Sequence, residues 1–211
     1  MDLNKIKNAL ISLDDAGVKT LVQQALDETV KAEEILEKGL VPGMVEVGRL
    51  FSRKEYFVPE ILVAAEAFYA GFNLIDPWLK KTAARKREKI MIAVVEGDIH
   101  DIGKNIVKVM LEANGYRVLD LGKDVPTTRL LEAVTREKPV ILCLSSLMTT
   151  TMVRMREIID RLHAMNLRDK IKIVIGGAPV TEDYARQISA DGYAPDAAEA
   201  VILIDKLIHE K

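Results

Sequence analysis

Three scarcities in this sequence of 211 residues exclude whole classes of protein. Cys143 is the only cysteine, so an internal disulfide is excluded, and its position in an apolar run predicts a buried thiol. The net charge of −2 leaves no general excess of the cations that neutralise nucleic-acid phosphates. No apolar run approaches the ~20 residues of a membrane span, and the first residues lack a signal-sequence pattern. We therefore expect a cytoplasmic protein without nucleic-acid or membrane partners.

The sequence also lacks the motifs of several common cofactor sites. Neither the Gly-x-Gly-x-x-Gly pattern of dinucleotide sites nor the Gly-Lys-Ser/Thr pattern of nucleoside triphosphate sites occurs. A metal centre built from protein ligands alone would need several His, Cys or Glu residues at ligand spacing, and none accompany His100. His163 and His209 are interpreted as helix-surface residues.

The first part of the chain has helical periodicity. From Leu3 to Leu79 apolar residues recur at three- and four-residue spacing, with breaks at 14–17, at 39–43 and near Pro59. This pattern predicts a bundle of about four helices, forming a domain over residues 1–80. The basic residues that follow predict a solvated linker over residues 81–88.

The second part, residues 89–211, alternates short apolar runs with longer amphipathic segments. Such alternation predicts an α/β domain with a doubly wound parallel sheet covered by helices on both faces. The predicted strands are 89–95, 116–121, 140–145 and 172–175, with a short fifth strand near 192–194. The predicted helices are 103–114, 127–137, 151–165, 181–190 and 197–209.

Unusual residues follow the predicted strands at the edge where such sheets bind ligands. They lie in the segments Gly97–Gly103, Ser145–Thr151 and Gly176-Gly177. Asp98 and His100 have the chemistry of a metal-binding histidine oriented by a carboxylate, and a hydroxyl of the second segment could extend the pair. Taken alone, an Asp-x-His pair in a loop is more often a helix-capping or turn feature than a metal site.

The three segments together resemble a known signature. The cobalamin-binding domains of methionine synthase and of small corrinoid proteins in anaerobic methyltransferase systems carry Asp-x-His-x-x-Gly, then Ser-x-Leu, then Gly-Gly. Here Asp98–Gly103 is followed after 41 residues by Ser145–Leu147 and after 28 more by Gly176-Gly177. The stretches Pro42–Phe51 and Glu55–Pro59 are similar to the helical cap of the same family, so the resemblance covers nearly the whole chain.

The resemblance implies a Rossmann-like or flavodoxin-like domain that binds cobalamin with its dimethylbenzimidazole base displaced from cobalt. His100 would be the lower axial ligand, and Asp98 would hydrogen-bond it. The family has a serine as third member of this relay, four residues beyond the leucine, and Thr151 stands there in this chain. The other cofactor-binding residues implied by position are Asp101, Ile102, Gly103, Ser145, Leu147, Thr149, Gly176, Gly177 and Ala197.

In the cap, the resemblance implies contacts to the upper side of the cofactor. Phe51 and Val58 match positions that shield the methyl group on cobalt, and Glu37 matches a polar contact to the corrin edge. Met44 shares a helix face with Phe51, although periodic apolar stripes of this kind usually form the core of a bundle.

The implied function is that of a methyl carrier, not catalytic alone, in a corrinoid-dependent methyltransferase system. The implied partners are a substrate:corrinoid methyltransferase, a methylcorrinoid:tetrahydrofolate or coenzyme M methyltransferase, and a reductive activator. Methanol, methylamines, methoxylated aromatics and glycine betaine all stay open as donors.

Three alternatives share part of the pattern. A cobalamin-dependent sensor or regulator has the same signature and cap but would need a DNA-binding module, for which no residues are left. A carbon-skeleton mutase module lacks this kind of cap. A phosphoryl-accepting receiver domain does not explain the Ser-x-Leu and Gly-Gly spacing.

Overall fold

The computed structural model describes residues 1–79 and 88–209. The chain forms two compact units. The first contains the N-terminal helices together with Val109–Gly115, and the second contains the rest. The linker predicted over residues 81–88 lies outside the described residues except for Glu88.

The first unit is helical, as the periodicity predicts. An Asp14 side chain caps the second helix by accepting a hydrogen bond from the Gly17 N–H over 2.8 Å. The segments are α1 (Asn4–Ile11), α2 (Asp15–Asp27), α3 (Ala32–Ile35), a π-helical segment (Leu36–Leu40), α4 (Val41–Ser52) and α5 (Val58–Leu79).

The predicted helix break at residues 39–43 is wrong. The chain runs from α3 through the π-helical segment directly into α4, and Pro42 stands in the first turn of α4, where proline is tolerated. Gly39 and Gly43 serve helix packing instead of a turn. A Cβ on Gly39 would lie 3.3 Å from Ile6, and a Cβ on Gly43 would lie 3.2 Å from Leu10, so both glycines allow α1 to approach closely.

Within the described residues, α5 is the one helix long and apolar enough to cross a membrane by length and composition. The expectation that no segment approaches a membrane span does not cover this helix, because its apolar residues are interrupted by polar ones. Such a helix is weak support for a membrane span, because core helices pass the same test. Here α5 packs chiefly against α2, and Phe68 and Ile75 are fully buried. At Gly71 an added Cβ would lie only 2.9 Å from Val18, so the two helices are in close contact.

The second unit contains a five-stranded parallel sheet, as predicted. Its strands are β1 (Lys89–Val94), β2 (Arg117–Asp120), β3 (Ile141–Ser145), β4 (Lys172–Gly176) and β5 (Gly192–Tyr193), in the order β2-β1-β3-β4-β5. The helices that accompany the sheet are α6 (Ile102–Ala113), α7 (Thr127–Glu137), α8 (Thr149–Ala164), α9 (Glu182–Gln187) and α10 (Ala197–His209). Helix α6 is divided between the units, because its residues from Val109 onward belong to the first.

The sheet is buried because its central strands are apolar on both faces. Strands β1 and β3 are buried along nearly their whole length, and apolar residues of α7, α8 and β4 pack on one side of them. Cys143 is buried in β3, which confirms the predicted buried thiol, and burial raises its pKa to about 12. This thiol is therefore protonated and unreactive at neutral pH.

The strand order places a ligand-binding crevice. In the order β2-β1-β3-β4-β5, successive strands are added toward one edge of the sheet from β1 to β2 and toward the other edge from β3 onward. This reversal between β1 and β3 is a switch point, and doubly wound proteins bind ligands there, beyond the carboxyl ends of the strands. The segments after β1 and β3 contain His100 and Thr151 respectively.

Candidate functional site

Asp98 and His100 form a hydrogen-bonded pair in the loop between β1 and α6. The ring Nδ1 of His100 lies 2.8 Å from Asp98 Oδ1, and the His100 backbone N–H donates to the same oxygen over 3.0 Å. Asp98 is fully buried, whereas the His100 side chain is 47% exposed. One end of the imidazole is therefore fixed inside the protein while the other end faces outward.

The second oxygen of Asp98 is held by the loop that follows β3. Asp98 Oδ2 accepts hydrogen bonds from the backbone N–H of Leu147 (2.7 Å) and of Met148 (3.3 Å). The hydroxyls of Thr151 and Ser146 lie 3.0 and 3.2 Å from the same oxygen, and 2.8 Å from each other. The loop thus fixes the carboxylate by backbone and side-chain donors together.

These donors keep Asp98 ionised. Burial is the largest single influence and raises the pKa of Asp98, but the hydrogen bonds from the His100 and Leu147 N–H groups, the His100 ring and Thr151 together lower it well below the usual range. An ionised carboxylate only accepts hydrogen bonds, so Nδ1 of His100 must carry the proton. In the neutral imidazole, the lone pair that a metal would need is then on the exposed Nε2.

The donor set fits a metal that brings most of its own ligands. Within residues 1–79 and 88–209, no group of three or more His, Cys, Asp or Glu side chains is arranged to hold a metal ion. His100 would therefore offer one oriented nitrogen, which suits a metal already held in a macrocycle and needing one axial nitrogen.

The surroundings of His100 suit an apolar, flat ligand. Ile99, Ile102 and Leu147 belong to the same two loops, and they are 62%, 56% and 46% exposed. Large apolar side chains left in water beside a polar centre are typical of ligand sites. Gly103, which is also exposed, has no atom within 4 Å of a Cβ built on it.

Gly176, which ends β4, and Gly177, which follows it, are both in close contact with other parts of the protein. Gly177 has a φ of +121°, and a Cβ there would lie 1.8 Å from the Ser146 carbonyl oxygen. A Cβ on Gly176 would lie 3.0 Å from the Ala194 carbonyl oxygen. The resemblance implies that these glycines make room for the cofactor, and the structure adds that Gly177 is required by contact with the Ser146 loop.

The remaining predicted residues of the second unit lie at the same edge of the sheet or at helix starts. Ser145 ends β3 and is half-buried, Thr149 begins α8 and is exposed, and Asp101 immediately precedes α6. Ala197 begins α10 and is buried. Their contacts to a cofactor stay predictions.

The four predicted cap residues lie in the first unit. Glu37 is exposed in the π-helical segment, and Met44 is fully buried in the core of that unit. Phe51 is half-buried near the end of α4, and Val58, at the start of α5, is 37% exposed. Contact of these side chains with a cofactor also stays a prediction.

Sequence reasoning missed two features of the site. Ser146 is the unspecified residue of the Ser-x-Leu pattern, so nothing marked it as a second hydroxyl on Asp98. Lys104, directly after Gly103, is nearly fully buried, and its Nζ lies 2.8 Å from both oxygens of Asp120 at the end of β2.

Comparisons with known proteins agree with this geometry. Residues 88–202 match a B12 binding domain family, and residues 2–75 match a second B12 binding domain family. The chain is 41% identical to the trimethylamine corrinoid protein of Methanosarcina barkeri over 199 residues, covering 93% of this chain and 92% of that protein.

Two crystal structures are similar over nearly the whole chain. A cobalamin-binding protein from Desulfitobacterium hafniense DCB-2 is 36% identical, with a TM-score of 0.80 and 98% of both chains covered. A chain of the methanol:cobalamin methyltransferase complex MtaBC from Methanosarcina barkeri is 33% identical, with a TM-score of 0.84, and the match covers 99% of this chain and 80% of that chain. The match of the sheet unit to the B12 binding domain, and the identity to a corrinoid protein over most of both sequences, establish that this chain belongs to the corrinoid protein family that binds cobalamin.

Proposed function

We propose that this chain carries a corrinoid cofactor with His100 Nε2 as its lower axial ligand, in place of the cofactor's own base, and so carries methyl groups between partner methyltransferases. The observation on which the proposal depends is the Asp98–His100 pair, which leaves an oriented imidazole nitrogen at the switch point of the sheet. The corrinoid and methyltransferase relatives support the carrier role.

The protein's own contribution is orientation. Asp98 fixes the tautomer and direction of the imidazole, and the loop after β3 fixes Asp98 through Leu147 and Thr151. The exposed Ile99 and Ile102 would cover the lower face of the corrin ring and exclude water from it. When bound, the cofactor would supply a cobalt centre that accepts a methyl group and gives it up again.

Separate proteins would supply the reactions at each end of the transfer. We expect one methyltransferase that presents the donor, one that presents tetrahydrofolate or coenzyme M, and a reductive activator. A relative is named for trimethylamine, and a similar structure is a methanol complex. We expect donor choice to belong to the partner methyltransferase, because proteins similar to this chain are named for different donors. We also propose a cytoplasmic location, for which the single, buried Cys143 is the support.

Axial ligation is tested by paramagnetic resonance of the protein loaded with cob(II)alamin. With ¹⁵N-labelled histidine, an imidazole on cobalt splits the signal into doublets, whereas the cofactor's own ¹⁴N base gives triplets. We expect doublets in the wild type and in the control His163→Ala, a surface position in α8, and their loss in His100→Ala. Triplets in the labelled wild type would overturn the ligand assignment.

The carrier role is tested with isotopically labelled donors. The loaded protein is incubated under reducing conditions with trimethylamine, a methylamine or methanol, each with the methyltransferase specific for it. We expect the labelled methyl group to appear on the corrinoid with at least one donor and to pass on to coenzyme M or tetrahydrofolate when the second methyltransferase is added. Absence of label with all of these donors, and with methoxylated aromatics and glycine betaine under the same conditions, would refute the carrier role.

A further inference from the structure

The connection between β2 and α7 lies against the loop that carries His100. Its residue Asp124 makes two hydrogen bonds to that loop. The Gly97 N–H donates to Asp124 Oδ1 over 2.8 Å, and the Asp124 N–H donates to the Asp98 carbonyl oxygen over 2.9 Å. These two bonds hold the chain on either side of Asp98, the residue that orients His100.

The backbone of Asp124 suits this role. Its φ is +50°, in the left-handed region, where aspartate and asparagine are found more often than other side chains. Gly97, whose N–H it accepts, also has a positive φ of +85°. Two adjoining loops thus have conformations that place a carboxylate directly opposite a backbone N–H.

Other hydrogen bonds keep the two loops in register. The Val94 N–H donates to the Gly122 carbonyl over 3.0 Å, and the Val125 N–H donates to the Val94 carbonyl over 3.1 Å. The Thr127 N–H donates to Glu96 Oε2 over 3.0 Å. The position of Asp124 relative to the His100 loop is therefore fixed by these neighbouring hydrogen bonds as well as by its own.

Further along, the buried Lys104 holds the start of α6 to the end of β2. Its ammonium bonds both oxygens of Asp120, and Asp120 Oδ1 also accepts from the Gly122 N–H over 2.9 Å. The segment between Gly97 and Lys104, which includes His100, is thus held at one end by the connection after β2 and at the other by the last residue of β2.

We infer that Asp124 is a positioning residue for the axial ligand: by fixing the peptide groups on either side of Asp98, it sets the direction in which Asp98 presents its carboxylate to His100. The Gly97 bond has a charged acceptor and is the stronger kind of hydrogen bond. This inference rests on the proposed ligation by His100. Asp124 itself is exposed and acts only through the loop.

Two substitutions distinguish the effect of the Asp124 side chain from the effect of the backbone conformation at position 124. Asp124→Gly keeps the positive φ at no steric cost and removes the acceptor. Asp124→Asn tolerates the same φ and keeps an acceptor oxygen. The neighbouring exposed Lys123→Ala is the control for a change of charge in this loop.

Ligation strength is measured as the cyanide concentration that displaces the lower ligand from protein loaded with cyanocobalamin, followed in the visible spectrum. We expect Asp124→Gly to need about tenfold less cyanide than the wild type, a typical effect of removing a group that orients a metal ligand. Asp124→Asn and Lys123→Ala should stay within about twofold of the wild type, since both retain the acceptor at position 124. An unchanged Asp124→Gly, or an Asp124→Asn as weak as the glycine variant, would overturn the inference.

Amide hydrogen exchange of the cofactor-free protein tests the same contact without cobalt. In Asp124→Gly the Gly97 N–H should exchange about tenfold faster, while amides of the distant strand β4 should keep their rates. If the loaded wild type lacks a histidine on cobalt, the proposed function fails. If the wild type has it and both readouts are unchanged in Asp124→Gly, only the role of Asp124 is refuted.

Discussion

Two glycines of the site should respond in opposite ways to the same added methyl group. Gly177→Ala places a Cβ 1.8 Å from the Ser146 carbonyl oxygen, at a φ of +121°. The unfavourable φ costs roughly 1–3 kcal/mol, and relieving the overlap by moving the backbone costs roughly another 1–3 kcal/mol. We therefore expect the free energy of unfolding of the sheet unit to fall by about 3 kcal/mol, within the combined range.

Gly103→Ala is the matched control. It lies in the first turn of α6, where a Cβ would meet no atom within 4 Å, and alanine in a helix is favoured over glycine by roughly 0.5–1 kcal/mol. The cofactor-free protein should therefore be as stable as the wild type or slightly more so. If Gly103 faces the cofactor, as the family resemblance implies, cobalamin affinity should fall in this variant.

The assay is thermal unfolding of the cofactor-free proteins, followed by cobalamin titration. For a chain of this size about 1 kcal/mol corresponds to roughly 2–4 °C, so Gly177→Ala should melt about 6–12 °C below the wild type. A Gly177→Ala protein that melts with the wild type would refute the packing argument. A Gly103→Ala protein with unchanged cobalamin affinity would remove Gly103 from the cofactor site.

Three further substitutions test the buried polar groups. Asp98→Asn should lower the free energy of unfolding by about 2–3 kcal/mol, because a neutral acceptor weakens several hydrogen bonds that favour a charge. Folding lowers the pKa of Asp98, so urea unfolding should show the full stability difference between wild type and variant above pH ~4 and a declining difference as the pH falls below that value. Lys104→Met should cost about 3 kcal/mol in the same assay by leaving Asp120 without its buried partner, and no loss would mean that Lys108 suffices. Ser146→Ala and Thr151→Ala should each cost about 1 kcal/mol, and their double variant should differ from the sum, because the two hydroxyls bond each other; strict additivity would argue against the coupling.

The sheet unit could be predicted from sequence because its signals are local. Strand β1 lies in an unbroken apolar run, residues 90–95, that ends directly before Glu96 and Gly97, and helix α7 is bounded by Pro126 and Lys138. The predicted helix over 127–137 has the observed bounds. Where a strand is buried on both faces and a helix has clear ends, the pattern contains most of the information.

The break predicted in the first unit was wrong for a reason that sequence does not contain. Glycine and proline at 39–43 are typical of a turn, and the same residues are also typical of two helices in close contact. Only the position of Ile6 and Leu10 against Gly39 and Gly43 decides between these two meanings. Such contacts join residues more than thirty positions apart, beyond the reach of local patterns.

The residues of the site also divide into those that could be predicted from the sequence and those that could not. Asp98, His100 and Thr151 were identifiable because the resemblance assigns roles to their positions, and the structure brings the three together around one carboxylate. Ser146 and Asp124 occupy positions to which no role was assigned, and they enter the site only through the fold. Ser146 is one of the several donors that a buried carboxylate needs, whereas Asp124 bonds the backbone on either side of Asp98.

The orientation of His100 is set by groups of the protein itself. The donors to the Asp98 carboxylate all come from the second unit: they are the N–H groups of His100, Leu147 and Met148, the His100 ring, and the hydroxyls of Ser146 and Thr151. We expect these bonds to hold the imidazole in the cofactor-free protein as well, so that little freedom of the ring would be lost when a metal takes Nε2. Because the cofactor's own base competes for the same position on cobalt, this prior orientation is what would favour His100 over that base.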